Sequence, residues 1–137
     1  MEDPRLRTAL NLLSADTFDQ TCSTRKVLDQ VTSRWGTLVL AALVTGPHRF
    51  AALRDKVGGI SEKMLAQTLK HLVRAGLVER SVEATVPPQV TYTLTDLGAD
   101  LALPLTQLIH WIGQHSDQLL EAQEAYDEAN RAVSPQR

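Results

Sequence analysis

The chain is poor in aromatic residues: two Trp, two Tyr and two Phe make up 4% of its 137 residues. Its core must therefore be built mainly from Leu, Val, Ile and Ala. A single cysteine, Cys22, excludes an internal disulfide framework. No apolar run approaches the roughly eighteen residues that a membrane-spanning helix needs, and the longest, "TLVLAALVTGP", falls short. The opening "MEDPRLRTALNLLSADTF" lacks the basic start and long apolar stretch of a signal peptide. The expectation is a cytoplasmic protein with no membrane partner. Catalytic patterns are also missing. His48, His71, His110 and His115 have no partner spacing for acid–base or nucleophilic chemistry, and there is no G-x-G-x-x-G or P-loop. His110 and His115 are poorly placed to share one helix face, and no cysteine pair could hold zinc. No catalytic residue, metal or cofactor is assigned.

What is present is ordinary in amount and uneven in placement. Hydrophobic residues make up 43% and charged residues 22%, as in a globular domain, and the net charge is −2. Between His48 and Arg80 there are seven basic and three acidic residues, whereas from Thr95 to Arg137 there are two basic and seven acidic. The middle of the chain is thus a basic segment in a mildly acidic protein. A local basic surface can hold a polyanion whatever the total charge.

Residues 1–21 carry a weak helical pattern, Leu6, Leu10 and Leu13, and read as an arm. "STRKVLDQVTSRWG" predicts a short helix capped by Ser23 or Thr24. "GTLVLAALVTGP", apolar on nearly every side, predicts a buried helix ended by Gly46 and Pro47. His48–Phe50 suggests a small strand, and Phe50, Leu53 and Val57 form one face of the next helix. Gly58 and Gly59 allow a sharp turn. Ser61 is placed to cap a helix whose inward stripe, Leu65, Leu69 and Leu72, is continued by Leu77, with Gly76 at the C′ position. "LVERSVEA" and "QVTYTLT" are strand-like and flank the hairpin tip "TVPPQ". A helix starts at Thr95, with Pro104 expected to kink or interrupt it. It continues as one long amphipathic helix carrying Leu105, Leu108, Ile109, Ile112 and Leu119 on one face, and "RAVSPQR" reads as a frayed tail.

This order predicts a mainly α fold with a small β hairpin (α+β), a winged helix-turn-helix. Residues 22–112 form that domain, and 113–137 a C-terminal extension and tail. In such a motif the second helix enters the major groove of DNA. At about 100° per residue, Lys63, Gln67, Lys70 and Arg74 lie about 140–200° from Leu65, opposite the apolar stripe. On an isolated helix that stripe would be a solvated face. The tight turn, the preceding helix and the hairpin favour a DNA-reading one. Lys63, Met64, Gln67, Thr68 and His71 are the base-edge candidates. Lys70 and Arg74 are assigned to phosphates, and Ser61 to phosphate at the helix start. The competing reading is a protein-binding winged helix, since fold does not fix function.

The residues "VLDQVTSRWGTLVLAALVTGPHRFAALRDKVGGISEKMLAQTLKHLVRAGLVERSVEATVPPQVTYTLTDLG" closely resemble the HxlR family of bacterial transcriptional regulators. The motifs that carry the likeness are Arg34-Trp35, "GPHRF", "GISEKMLAQTL", "AGLVER", "VPPQVTYTLT" and "LG". The resemblance implies a homodimeric repressor or activator on a palindromic double-stranded operator, joined through N- and C-terminal dimerisation helices. Leu6, Leu10, Leu105, Leu108, Ile109, Trp111 and Ile112 are the interface candidates, with intrachain core as the alternative for the same face. Arg49, within "GPHRF", is added to the DNA-binding set. A basic residue commonly follows the paired prolines of the wing. Here Gln89 stands there, so Arg80 at the wing base is the alternative phosphate contact. The family cysteine, commonly followed by proline, corresponds to Cys22, here followed by Ser23. It implies redox or electrophile sensing, to which Arg25, Lys26 and a nearby helix start would contribute by favouring thiolate. A small buried residue without chemistry is the alternative. A small-molecule inducer between arm and C-terminal helix stays open.

Overall fold

The computed structural model describes residues 3–133. Its order is α1 (Pro4–Leu12), α2 (Arg25–Val31), α3 (Arg34–Leu43), β1 (His48–Arg49), α4 (Phe50–Lys56), α5 (Glu62–Arg74), β2 (Val78–Glu83), β3 (Gln89–Leu94), α6 (Asp96–Gln114) and α7 (Ser116–Val133). The strands form one antiparallel sheet in the order β1-β3-β2. This is a winged helix-turn-helix, with α4 and α5 as the paired helices and β2–β3 as the wing.

The core is aliphatic, as the scarcity of rings predicts. Val39, Leu40 and Leu43 of α3 meet Leu53 of α4, Leu65, Leu69 and Leu72 of α5, and Leu77 and Val78 at the start of β2. Helix α3 is the hub, packing against α5 and α6. It is less enclosed than its sequence suggested, since Leu38 and Val44 are exposed.

Local chemistry frames α5. The Ser61 hydroxyl accepts the Met64 N–H at 3.1 Å, which starts the helix. At its end the Gly76 N–H bonds Val73 O and the Leu77 N–H bonds Leu72 O, both at 3.0 Å. That pairing needs a left-handed residue, and Gly76 supplies it with φ 79°. In the turn before α5, Gly59 has the positive φ, 85°, and Gly58 does not. Beyond the hairpin, Thr95 clasps the end of α5: its N–H bonds Leu77 O at 3.1 Å and its hydroxyl donates to Gly76 O at 2.6 Å.

Four sequence expectations need correction. The helix expected over 23–36 is two helices: α2 ends at Val31, and Ser33 caps α3 by accepting the Gly36 N–H at 3.0 Å. Thr24 precedes α2 but has helical backbone and makes no capping bond. Pro104 does not interrupt α6, which runs through it. One missing N–H removes one bond, while buried Ala102 and Leu105 on either side anchor the helix. The long C-terminal helix instead divides at His115, where the backbone leaves helical geometry and the imidazole stacks on Trp111 at 4.2 Å. Of the expected tail, Arg131–Val133 closes α7, and 134–137 lie outside the described residues.

Candidate nucleic-acid interface

Helix α5 has the two sides its sequence predicts. Leu65, Leu69 and Leu72 are buried, while Lys63, Gln67, Lys70 and Arg74 are exposed. Its two flanks differ. Ala66, Lys70 and Val73 face the sheet, sharing a recess of about 260 Å³ with Arg80 and Tyr92. Met64, Gln67, Thr68 and His71 face α2 and α3, bordering a crevice of about 410 Å³ that Trp35 and Leu72 also line. The Arg34 guanidinium lies 4.4 Å over the Trp35 ring at this crevice.

Thr68 is a correction to the base-edge set. It is 8% exposed and lies on the inner side of α5, three residues after Leu65 and about 60° from it. His71 is half-buried, and Met64 is exposed at the crevice.

The wing separates residues that the sequence had grouped. Arg80 pairs with Tyr92, and both turn toward α5. Arg49 pairs with Thr91, so it lies on the opposite sheet face. There its guanidinium donates a short hydrogen bond to Gln89 Oε1. Gln89, standing where a basic residue was expected, thus orients Arg49.

A further link was not foreseen. Arg54 of α4 forms a close ion pair with Glu62 in the first turn of α5 and a 3.5 Å contact with Asp55. Glu62, then Asp55, raise the Arg54 pKa above its ordinary value. The pair spans the turn between the two helices and engages the acid nearest the basic face. Opposite charges on either side of "VGG" were the available signal.

Cys22 is half-buried and free. Its thiol donates to Asp16 Oδ2 at 3.6 Å and lies 3.2 Å from Thr24 Oγ1. The bond from Ser14, its own backbone N–H and the Cys22 thiol hold the Asp16 carboxyl below its ordinary value. Arg25 points elsewhere, donating to Phe18 O at 3.1 Å and facing Asp29 at 3.7 Å. The charged group against the sulfur is therefore a carboxylate, not the Arg25 cation expected from the sequence.

The apolar face of α6 and α7 is divided. Leu105 is 7% exposed and belongs to the intrachain core, which corrects its assignment to a dimer contact. Leu108, Ile109, Trp111 and Ile112 remain on the surface, as do Leu6 and Leu10 of α1. Among the described residues, no helix is long and apolar enough to cross a membrane.

These features define a DNA-binding regulator of the winged helix-turn-helix class. The family model for the HxlR-like helix-turn-helix matches residues 30–120, and the chain belongs to that family. It is 48% identical over 101 residues to YtfH of Escherichia coli, an uncharacterised helix-turn-helix-type transcriptional regulator, covering 74% of this chain and 80% of the relative. The structure of ytfH from Salmonella typhimurium superposes with a TM-score of 0.74 at 47% identity, covering 78% of this chain and 96% of that one. The redox regulator HypR in its reduced form superposes with a TM-score of 0.67 at 30% identity, covering 72% and 97%. The protein is a helix-turn-helix transcriptional regulator.

Proposed function

We propose that the protein works as a cytoplasmic homodimer that reads a palindromic operator with α5 and responds to oxidants through Cys22. The observation that carries the DNA-reading part is the exposed Lys63–Gln67–Lys70–Arg74 side of a helix capped and clasped at both ends. Lys63, Met64 and Gln67, in its N-terminal half, read base edges, with His71 beside them. Gln suits adenine and Lys suits guanine. Ser61, Lys70, Arg74 and Arg80 take phosphates. Arg49, oriented by Gln89, reaches the backbone from the outer face of the wing. A protein-binding face on α5 would be apolar or acidic, and this one is basic.

Dimerisation uses the exposed Leu6 and Leu10 of α1 with Leu108, Ile109, Trp111 and Ile112 of α6. Two copies of α5 would then meet half-sites about one helical turn, ~34–36 Å, apart or a multiple of that. The sensing part rests on the free, half-buried Cys22 thiol, and the kinship with HypR supports it. As the chain's one cysteine, it forms a disulfide with the partner subunit or a small thiol.

The test is fluorescence anisotropy on duplexes from upstream of its own gene and on duplexes selected from a randomised pool. Reduced protein should bind a selected duplex far more tightly than an unrelated one. Mild thiol oxidation should change that affinity in wild type and not in Cys22→Ser. An equal shift in both proteins refutes the cysteine switch, and tight binding that oxidation leaves unchanged moves the search to a small-molecule inducer.

A further inference from the structure

We infer that the α2–α3 edge of α5 is a second phosphate-binding wall, in which Arg34 and Lys26 grip the DNA backbone on the side away from the wing. The inference rests on α5 being the groove helix. The major groove, about 12 Å wide, has a phosphate backbone on each side, so a helix lying in it is served best by cations on both flanks. On the sheet side the structure places Arg80 beside Lys70. On the other side stand Arg34 of α3 and Lys26 of α2.

Arg34 is exposed, and no carboxylate of the described residues pairs with it. Its position is nevertheless fixed. The guanidinium rests 4.4 Å over the Trp35 ring. Trp35 in turn abuts the turn before α5: its Cη2 atom lies 3.7 Å from the place a Gly59 Cβ would occupy. Arg34 therefore borders the same crevice as Met64 and Gln67. Lys26 shares a smaller recess with His71 and Arg74. Gln67 and Arg74 are seven residues apart, so these two points are separated by about 10 Å along α5.

The acids nearby do not cancel this charge. Asp29 lines the Arg34 crevice but faces Arg25 at 3.7 Å, and Glu62 is engaged by Arg54. Stacking on Trp35 leaves the edge of the planar Arg34 fork open to a phosphate oxygen.

The experiment measures affinity against salt concentration for wild type, Arg34→Gln, Lys26→Gln and Arg34→Lys. Each is tested on a selected operator and on an unrelated duplex. Arg34→Gln and Lys26→Gln should each lower the slope of log K against log salt by about 0.9, the value for neutralising one phosphate fewer. Both should weaken binding by the same factor on the two duplexes. Arg34→Lys should keep the wild-type slope, and thermal melts should match wild type throughout. Wild-type slopes in both Gln variants would overturn the second wall, while wild type and Gln67→Ala would still report whether α5 reads the operator. A larger loss on the operator than on unrelated DNA would also overturn it, by making these residues base readers. If wild type itself binds no duplex, both the wall and the reading of α5 fall.

Discussion

Replacing Gly98 by Ala should damage this fold more than its position in a helix suggests. Gly98 is the third residue of α6, where alanine would normally help by about 1 kcal/mol. Here a Cβ would land 2.0 Å from Leu77 O and 3.0 Å from Leu77 C. Both are backbone atoms, and Leu77 O is held by the Thr95 N–H at 3.1 Å. The clash can be relieved only by moving α6 away from the α5–β2 junction. Overpacking of this kind costs about 1–3 kcal/mol, and loss of the Thr95 bond adds about 1 kcal/mol. After the helix gain is subtracted, the net loss is about 1–3 kcal/mol. For a chain of this size that is a fall in melting temperature of roughly 3–10 °C. The matched control is Gly113→Ala in the same helix. Apart from its own stretch of helix, no atom lies within 4 Å of its added Cβ, so this variant should hold or raise the melting temperature by a few degrees. Both are read by circular dichroism at one protein concentration, because dimerisation makes melting concentration-dependent. Equal melting of Gly98→Ala and wild type would refute the close-approach argument.

Leu69→Ala should destabilise the fold by about 2–5 kcal/mol, since Leu69 is fully enclosed at the centre of the core; an unchanged urea midpoint would contradict the inward face of α5. Ile112→Asp should leave the monomer folded, because Ile112 is exposed, and should convert the proposed dimer to monomer in analytical ultracentrifugation. A dimer that survives would place the interface elsewhere.

The parts of the molecule legible in sequence are those where one residue type has one use. Ser61 as a cap, Gly76 as a left-handed terminator and the Leu65–Leu69–Leu72 stripe all follow from short-range rules. They fixed α5, and with it the exposed Lys63–Gln67–Lys70–Arg74 side. Thr68 was misplaced because a small polar residue suits either a groove or the margin of a core, and only the packing of α2 and α3 decides between them. Leu105 was misplaced for a similar reason. It shares a helix face with Leu108 and Ile112, and the depth at which α6 meets α3 determines which of them is covered. The break at His115 has only Gly113, two residues before it, as a local signal, and one glycine within a helical pattern does not by itself fix an end. The Arg54–Glu62 pair and the Arg49–Gln89 bond join residues eight and forty positions apart. The first is signalled only by the opposite charges flanking the turn, and the second depends on tertiary placement, which local pattern does not encode. The environment of Cys22 shows the same limit: two cations follow it in sequence, yet the charged group against its sulfur is Asp16.

The central claim is that α5 reads DNA sequence, and Gln67→Ala tests it most directly. Affinities of wild type and variant would be measured by fluorescence anisotropy on a selected operator and on an unrelated duplex at one salt concentration. The account predicts a loss of about 1–3 kcal/mol on the operator and little change on the unrelated duplex. An equal loss on both would reduce Gln67 to a backbone contact, and no loss on either would contradict the placement of α5 in the groove.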